Sequence, residues 1–194
     1  MSTRSSILCL ALSLVSLLHT GTSKGEDAQE PTEQETISFV VRTLEHYCKY
    51  FFFGRPDDGF ITDVSVASKI LIYQFKVRNS EGGTNKETLY TVSIPLDRLD
   101  IGSFKVKQVD FKAVDRPIYT LQFYCLDGQC IRETVQVRVA GANDHYTDDG
   151  SAKTAAEDSG AFFSQDESEI NRLAQALKHL AVLSGSPAKE LFNK

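Results

Sequence analysis

This chain has no excess of positive charge, few cysteines and only one long apolar run, and each shortage removes a class of function. With 21 Lys and Arg against 26 Asp and Glu, its formal net charge is −5. No overall electrostatic pull therefore draws it to nucleic acid or anionic lipid. Four cysteines in 194 residues are too few to hold a mini-fold together by disulfides, so stability must come from a hydrophobic core. No cysteine has an obvious histidine partner for nucleophilic catalysis. After residue 18, no apolar stretch approaches the roughly 20 residues that span a bilayer as a helix.

The one long apolar run is at the amino end. Ile7 to Leu18 follows Arg4 and is succeeded by the small residues Thr20-Gly21-Thr22-Ser23. A charged start, about a dozen apolar residues and a small-residue exit are the pattern of a secretory signal peptide, here residues 1–23. Its removal takes Arg4 and no acid, moving the formal charge from −5 to −6. About 170 residues remain, enough for one domain with a real core. The expected location is exported, periplasmic or extracellular, with no transmembrane segment after cleavage. Cys9 leaves with the leader. Cys48, Cys125 and Cys130 stay, in an oxidising compartment where one pair can bridge.

Residues 24–31 are polar and acidic and read as a disordered lead. Thr32-x-x-Glu35 then forms a capping-box pattern ahead of Ile37, Val40, Leu44 and Tyr47, which predicts a helix of roughly 16 residues. Tyr50-Phe51-Phe52-Phe53 runs into a turn region at 54–59. From Phe60 to Val139 the apolar residues alternate as in strands. Val64 and Val66 precede Leu71, Tyr73, Phe75 and Val77, as one bent strand or two joined tightly. A polar loop at 79–85 leads to Tyr90, Val92 and Ile94. Val106 and Val109 fall on opposite parity, which predicts a bulge between them. Residues 118–125 and 131–139 give two further strands. Residues 140–160 are rich in Gly, Ala, Ser and Asp, and read as a mobile acidic loop. Ala161-Phe162-Phe163 is a short strand. Asp166-x-x-Glu169 caps a second helix, with Ile170, Leu173, Leu177 and Leu180 on one face and Gly185 at its end.

The expected fold is α+β: one N-terminal helix, about seven antiparallel strands in a barrel or sandwich, and a C-terminal helix as cover. The globular domain runs 32–185, and 186–194 is a tail. Four segments, Tyr47-Cys48-Lys49-Tyr50, Ser93 to Asp100, Tyr124 to Ile131 and Arg172 to Leu180, occur in this order in a group that the chain resembles. That group comprises uncharacterised, mostly bacterial exported proteins with an amino-terminal helix and a pleckstrin-homology-like barrel. The resemblance implies that barrel for residues 35–185, and it brings no functional residues with it.

No catalytic residue, cofactor or metal site is assigned. His46 and His179 sit beside charged neighbours, off the apolar stripes of their helices. His46 and Cys48 diverge by about 200° around a helix and cannot easily share an ion. Aligning Gly150 with the turn glycine of an EF-hand puts Ala156 where the bidentate acid belongs, so that match fails. The remaining candidate ligand face is basic: Arg98, Lys105, Lys107, Lys112 and Arg116. Phosphoinositide-binding pleckstrin-homology domains use a basic first hairpin, and the matching segment here, Val66-Ala67-Ser68-Lys69, offers one lysine. The expected role is an exported, non-enzymatic interaction domain whose partner is a protein or envelope component. A hydrolase or small-ligand carrier using the barrel mouth near 140–160 is the alternative.

Cys125 and Cys130 flank Leu126-Asp127-Gly128-Gln129. A two-residue turn at Asp127-Gly128 would put the cysteines opposite each other, but it would set Leu121 and Phe123 against Thr134 and Arg132. A three-residue loop restores the apolar match and separates the cysteines. A bulge just after Cys130 would meet both demands, giving a structural disulfide and leaving Cys48 as a buried free thiol.

Overall fold

Two helices begin where local hydrogen bonding can satisfy their first N–H groups. The computed structural model describes residues 30–49, 61–81, 84–110, 116–140 and 146–187. The leader, the stretch 24–29, the aromatic cluster at 50–53, the turn region at 54–59 and Lys112 lie outside these residues. Helix α1 spans Glu33–Tyr47, capped by Thr32, whose hydroxyl accepts the Glu35 N–H while the Glu35 carboxylate accepts the Thr32 N–H at 2.8 Å. Those bonds hold the Glu35 carboxyl below its ordinary value. Helix α2 spans Glu167–Ser184, and Asp166 accepts the Glu169 N–H at 3.0 Å. Gly185, at φ +97°, ends it, with Ser186 N–H bonded to the Ala181 carbonyl and Gly185 N–H to that of Val182. The domain continues past Gly185: Ser186 is buried, and its hydroxyl donates to the Leu99 carbonyl.

Among the described residues nine strands form two antiparallel sheets. They are β1 (Cys48–Lys49), β2 (Ile61–Ala67), β3 (Ile70–Glu81), β4 (Thr84–Pro95), β5 (Lys105–Val109), β6 (Ile118–Tyr124), β7 (Ile131–Ala140), β8 (Tyr146–Glu157) and β9 (Ser159–Ser164). One sheet has the order β1-β9-β6-β5 and the other β2-β3-β4-β7-β8. Of the barrel or sandwich expected, the described residues form no closed barrel; their strands give an α+β, sandwich-like arrangement of two sheets with helices.

Several expectations change at the level of strands. The reach from 61 to 77 is two strands, joined at Ser68-Lys69 with both residues at positive φ and Ala67 paired to Ile70. That is the backbone sign of a two-residue primed turn, whose twist suits a hairpin. β5 and β6 pair without interruption from Lys105↔Gln122 to Val109↔Ile118, so the predicted bulge is absent. The bulges lie instead in β2, where Asp63 has φ 52°, and in β8 around Gly150. The mobile loop expected at 140–160 is largely strand: β8 pairs with β7, and β9 follows after a single residue. Its small and acidic side chains hid it. A strand at an exposed edge needs no large aliphatic residues.

The predicted hairpin between 118–125 and 131–139 does not exist either, and neither does its bulge. β6 pairs with β5 and β9, while β7 pairs with β4 and β8. The two strands belong to different sheets, so the poor match between Leu121-x-Phe123 and Arg132-x-Thr134 had no pairing to satisfy. The ribbon β8–β9 crosses from one sheet to the other at Asp158: Glu157 pairs with Ile131, and Ser159 with Tyr124.

One core joins these parts. The inward stripe of α2 (Ile170, Leu173, Leu177, Leu180) is buried with Val40 and Leu44 of α1 and with residues of both sheets. Tyr73 of the five-stranded sheet meets Phe162 of the four-stranded sheet at 5.4 Å between ring centroids. Phe123 packs on Phe162 at 5.6 Å and on Phe104 at 5.4 Å. Rings of this size and offset fill the space between sheets with their own apolar surface.

Candidate functional site

The four described basic residues line an edge and do not surround a point. Lys105 and Lys107 alternate along β5, so they share one face, opposite Gln122 and Thr120 of β6. Arg98 closes a short 3₁₀ turn, Leu96–Arg98, and its carbonyl accepts the Leu126 N–H at 2.9 Å. Arg116 precedes β6 at the opposite end. All four are exposed. At about 3.3 Å per residue, the length of β6 separates Arg98 from Arg116 by more than ~20 Å. Such a stripe can attract an extended anionic surface, but it provides no convergent clamp for one small anion.

The disulfide sits where the chain changes sheets. Cys125 and Cys130 are bridged, with Cα atoms 5.8 Å apart. Their loop lies against the ribbon at its crossing point: Cys125 N–H donates to the Asp158 carbonyl at 2.8 Å and Cys130 N–H to that of Glu157 at 3.0 Å. Gly128 adopts φ 79°, which a residue without Cβ reaches at no steric cost. Gly160, just past the crossing, lies against the Phe123 ring. A Cβ there would come within 2.5 Å of it. Cys48, the third cysteine, is free and buried, and burial pushes its thiol up to about 12. It stays protonated and inert at neutral pH.

The five-stranded sheet carries charge on both faces. On one, a row crosses four strands: Arg78 (β3), Glu87 (β4), Arg138 (β7) and Asp148 (β8). Arg78 Nε meets Glu87 at 3.1 Å, and Arg138 Nε meets Asp148 at 3.0 Å. Glu87 is the buried member, and a second contact with Arg138 at 3.9 Å completes its compensation. No single residue of this row stood out in the sequence, because its members come together only through strand register. On the opposite face, Glu133 of β7 lies near Glu157. Partial burial, then the charge of Glu157, raise the Glu133 carboxyl above its ordinary range. Tyr90 is raised by burial and by the charge of Glu133.

His46 and His179 each contact a backbone carbonyl, of Arg42 at 3.0 Å and of Pro31 at 3.1 Å. Neither belongs to a metal-ligating cluster, and none of three or more His, Cys, Asp or Glu occurs among the described residues. No helix there is long and apolar enough to cross a membrane. No family model, curated protein or solved structure matches the chain.

Proposed function

We propose that this protein is an exported, non-enzymatic binding domain that meets a protein or envelope component through its surface. The observation that carries this reading is the aromatic packing between the two sheets among the described residues. Tyr73, Phe162, Phe123 and Phe104 pack one on the next between the sheets, where a ligand carrier would hold its ligand. A carrier needs a cavity there, usually of ~300 Å³ or more. The alternative also placed its mouth beside a long loop at 140–160, and residues 146–157 of that segment are the strand β8. The Cys125–Cys130 disulfide suits an oxidising compartment. The pleckstrin-homology-like resemblance remains part of the proposal, at the level of strand-rich architecture with a C-terminal helix packed on it.

Two measurements test the reading. Amino-terminal sequencing of the secreted protein should find a chain starting near residue 24, and retention of the intact leader would sink the export half. A pull-down with the mature protein from its own envelope fraction should recover one saturable partner. Repeated failure to recover any partner, together with turnover in a substrate screen, would overturn the binding half. The basic stripe supplies a second reading, an anionic surface as the partner. If that is right, the Lys105→Glu, Lys107→Glu double variant loses the partner and retains wild-type melting.

A further inference from the structure

β8 is the outer strand of the five-stranded sheet, with β7 as its one strand neighbour among the described residues. Residues 150–157 are exposed. An exposed strand edge offers unpaired N–H and C=O groups to another strand. Two features bound the part of this edge that can be used. At one end the register jumps from Arg138↔Asp148 to Gln136↔Ala152, with Gly150 at φ 80°. At the other end the chain turns at Asp158 into the second sheet. Between them Ala152 to Glu157 pair regularly with β7, residue for residue.

The sequence of that stretch is Ala-Lys-Thr-Ala-Ala-Glu. Its three alanines let another backbone approach closely. Alternation places Lys153, Ala155 and Glu157 on one face. We propose that this edge pairs antiparallel with the same edge of a second copy, about a two-fold axis at Ala155. Lys153 then stands opposite Glu157 of the other copy, Thr154 opposite Ala156, and each match occurs twice. A lysine on an edge ordinarily deters pairing; in this register it meets a carboxylate. A four-residue slip in either direction would instead set Lys153 against Lys153 or Glu157 against Glu157, so charge selects the register. The pairing also brings a cation to Glu157, whose charge repels Glu133 within the single copy. A two-fold contact of this kind closes on itself and joins two five-stranded sheets into one.

This inference is independent of the binding role proposed above. Sedimentation equilibrium of the purified chain from about 1 to 200 μM tests it. Wild type should show a reversible dimer. Lys153→Glu or Glu157→Lys places like charges opposite each other twice and should weaken the dimer by about tenfold or more. The swapped variant, Lys153→Glu with Glu157→Lys, should restore it. All three should fold like wild type, with an unchanged circular dichroism spectrum, because both side chains are exposed. A wild-type monomer throughout, a dimer indifferent to the single changes, or a swap that fails to restore association would each overturn the proposal.

Discussion

β6 and β8 stand on either side of one crossing point, and their surroundings are opposite. β6 has seven residues, and Ile118, Thr120, Leu121 and Phe123 are each no more than 1% exposed. Both of its faces are therefore covered. β8 has twelve residues, and every residue from 150 to 157 is exposed. The two share the ribbon that ends in β9. Strand length and ladder hydrogen bonding are thus poor guides to where stability lies, and apolar burial is the better one.

Truncation should expose this contrast most sharply. Phe123→Ala in β6 removes a ring that touches Phe104 and Phe162, and should cost about 3–5 kcal/mol in chemical denaturation. Thr154→Ala in β8 should stay within about 0.5 kcal/mol. Equal costs would erase the distinction. Gly160→Ala comes next. It adds one methyl group within 2.5 Å of the Phe123 ring and 3.1 Å of Ile131, both buried, so it should destabilise by about 1–3 kcal/mol. A neutral result would mean that the crossing is looser than β6.

The next effect has the opposite sign. The Thr120 hydroxyl is buried with no hydrogen-bond partner among the described residues, so Thr120→Val keeps the shape and removes an uncompensated desolvation. A gain of about 1 kcal/mol is expected in the melting curve. The smallest effect is one of pH. The fold raises the Glu133 carboxyl, so the native state holds that proton more tightly than the unfolded chain does. Wild-type stability from this group is greatest below the ordinary Glu value of about 4.3 and is lost as pH rises through the raised value. Glu133→Gln should match wild type in acid and exceed it near neutrality. Because Glu133 is half-exposed, the gap should be slight. A variant less stable at neutral pH would contradict the assigned cause.

What the sequence disclosed follows the same divide. The capping residues Thr32, Glu35, Asp166 and Glu169, and the stripe Ile170 to Leu180, act over three or four positions, so both helices were legible. The disulfide was legible because Cys125 and Cys130 are neighbours in sequence. The sheet crossing was not, because its partners Cys125 and Asp158 are brought together by tertiary structure. β8 escaped because alternation is visible only when one face is apolar, and this strand buries neither. Yet the chain held one clue: no hairpin register could restore the apolar match of Leu121 and Phe123 and also keep Cys125 opposite Cys130 unless a bulge was added. A mismatch that needs repair marks strands that do not pair. The proposed basic face was chosen by proximity in sequence, and the fold drew it out into a line.

The shared ribbon also sets an order of events. β3, β4 and β7 can associate once residue 140 exists, but β6 must wait for residues 159–164 to gain its inner neighbour. The β6–β9 and β1–β9 pairings of the four-stranded sheet therefore depend on chain made late, and late, distant closures are slow. The short loop from Cys125 to Cys130 can close long before then. A chain stopped before Glu157 would hold that loop without the ribbon carbonyls it docks against, its β6 aromatics uncovered by β9 and open to aggregation.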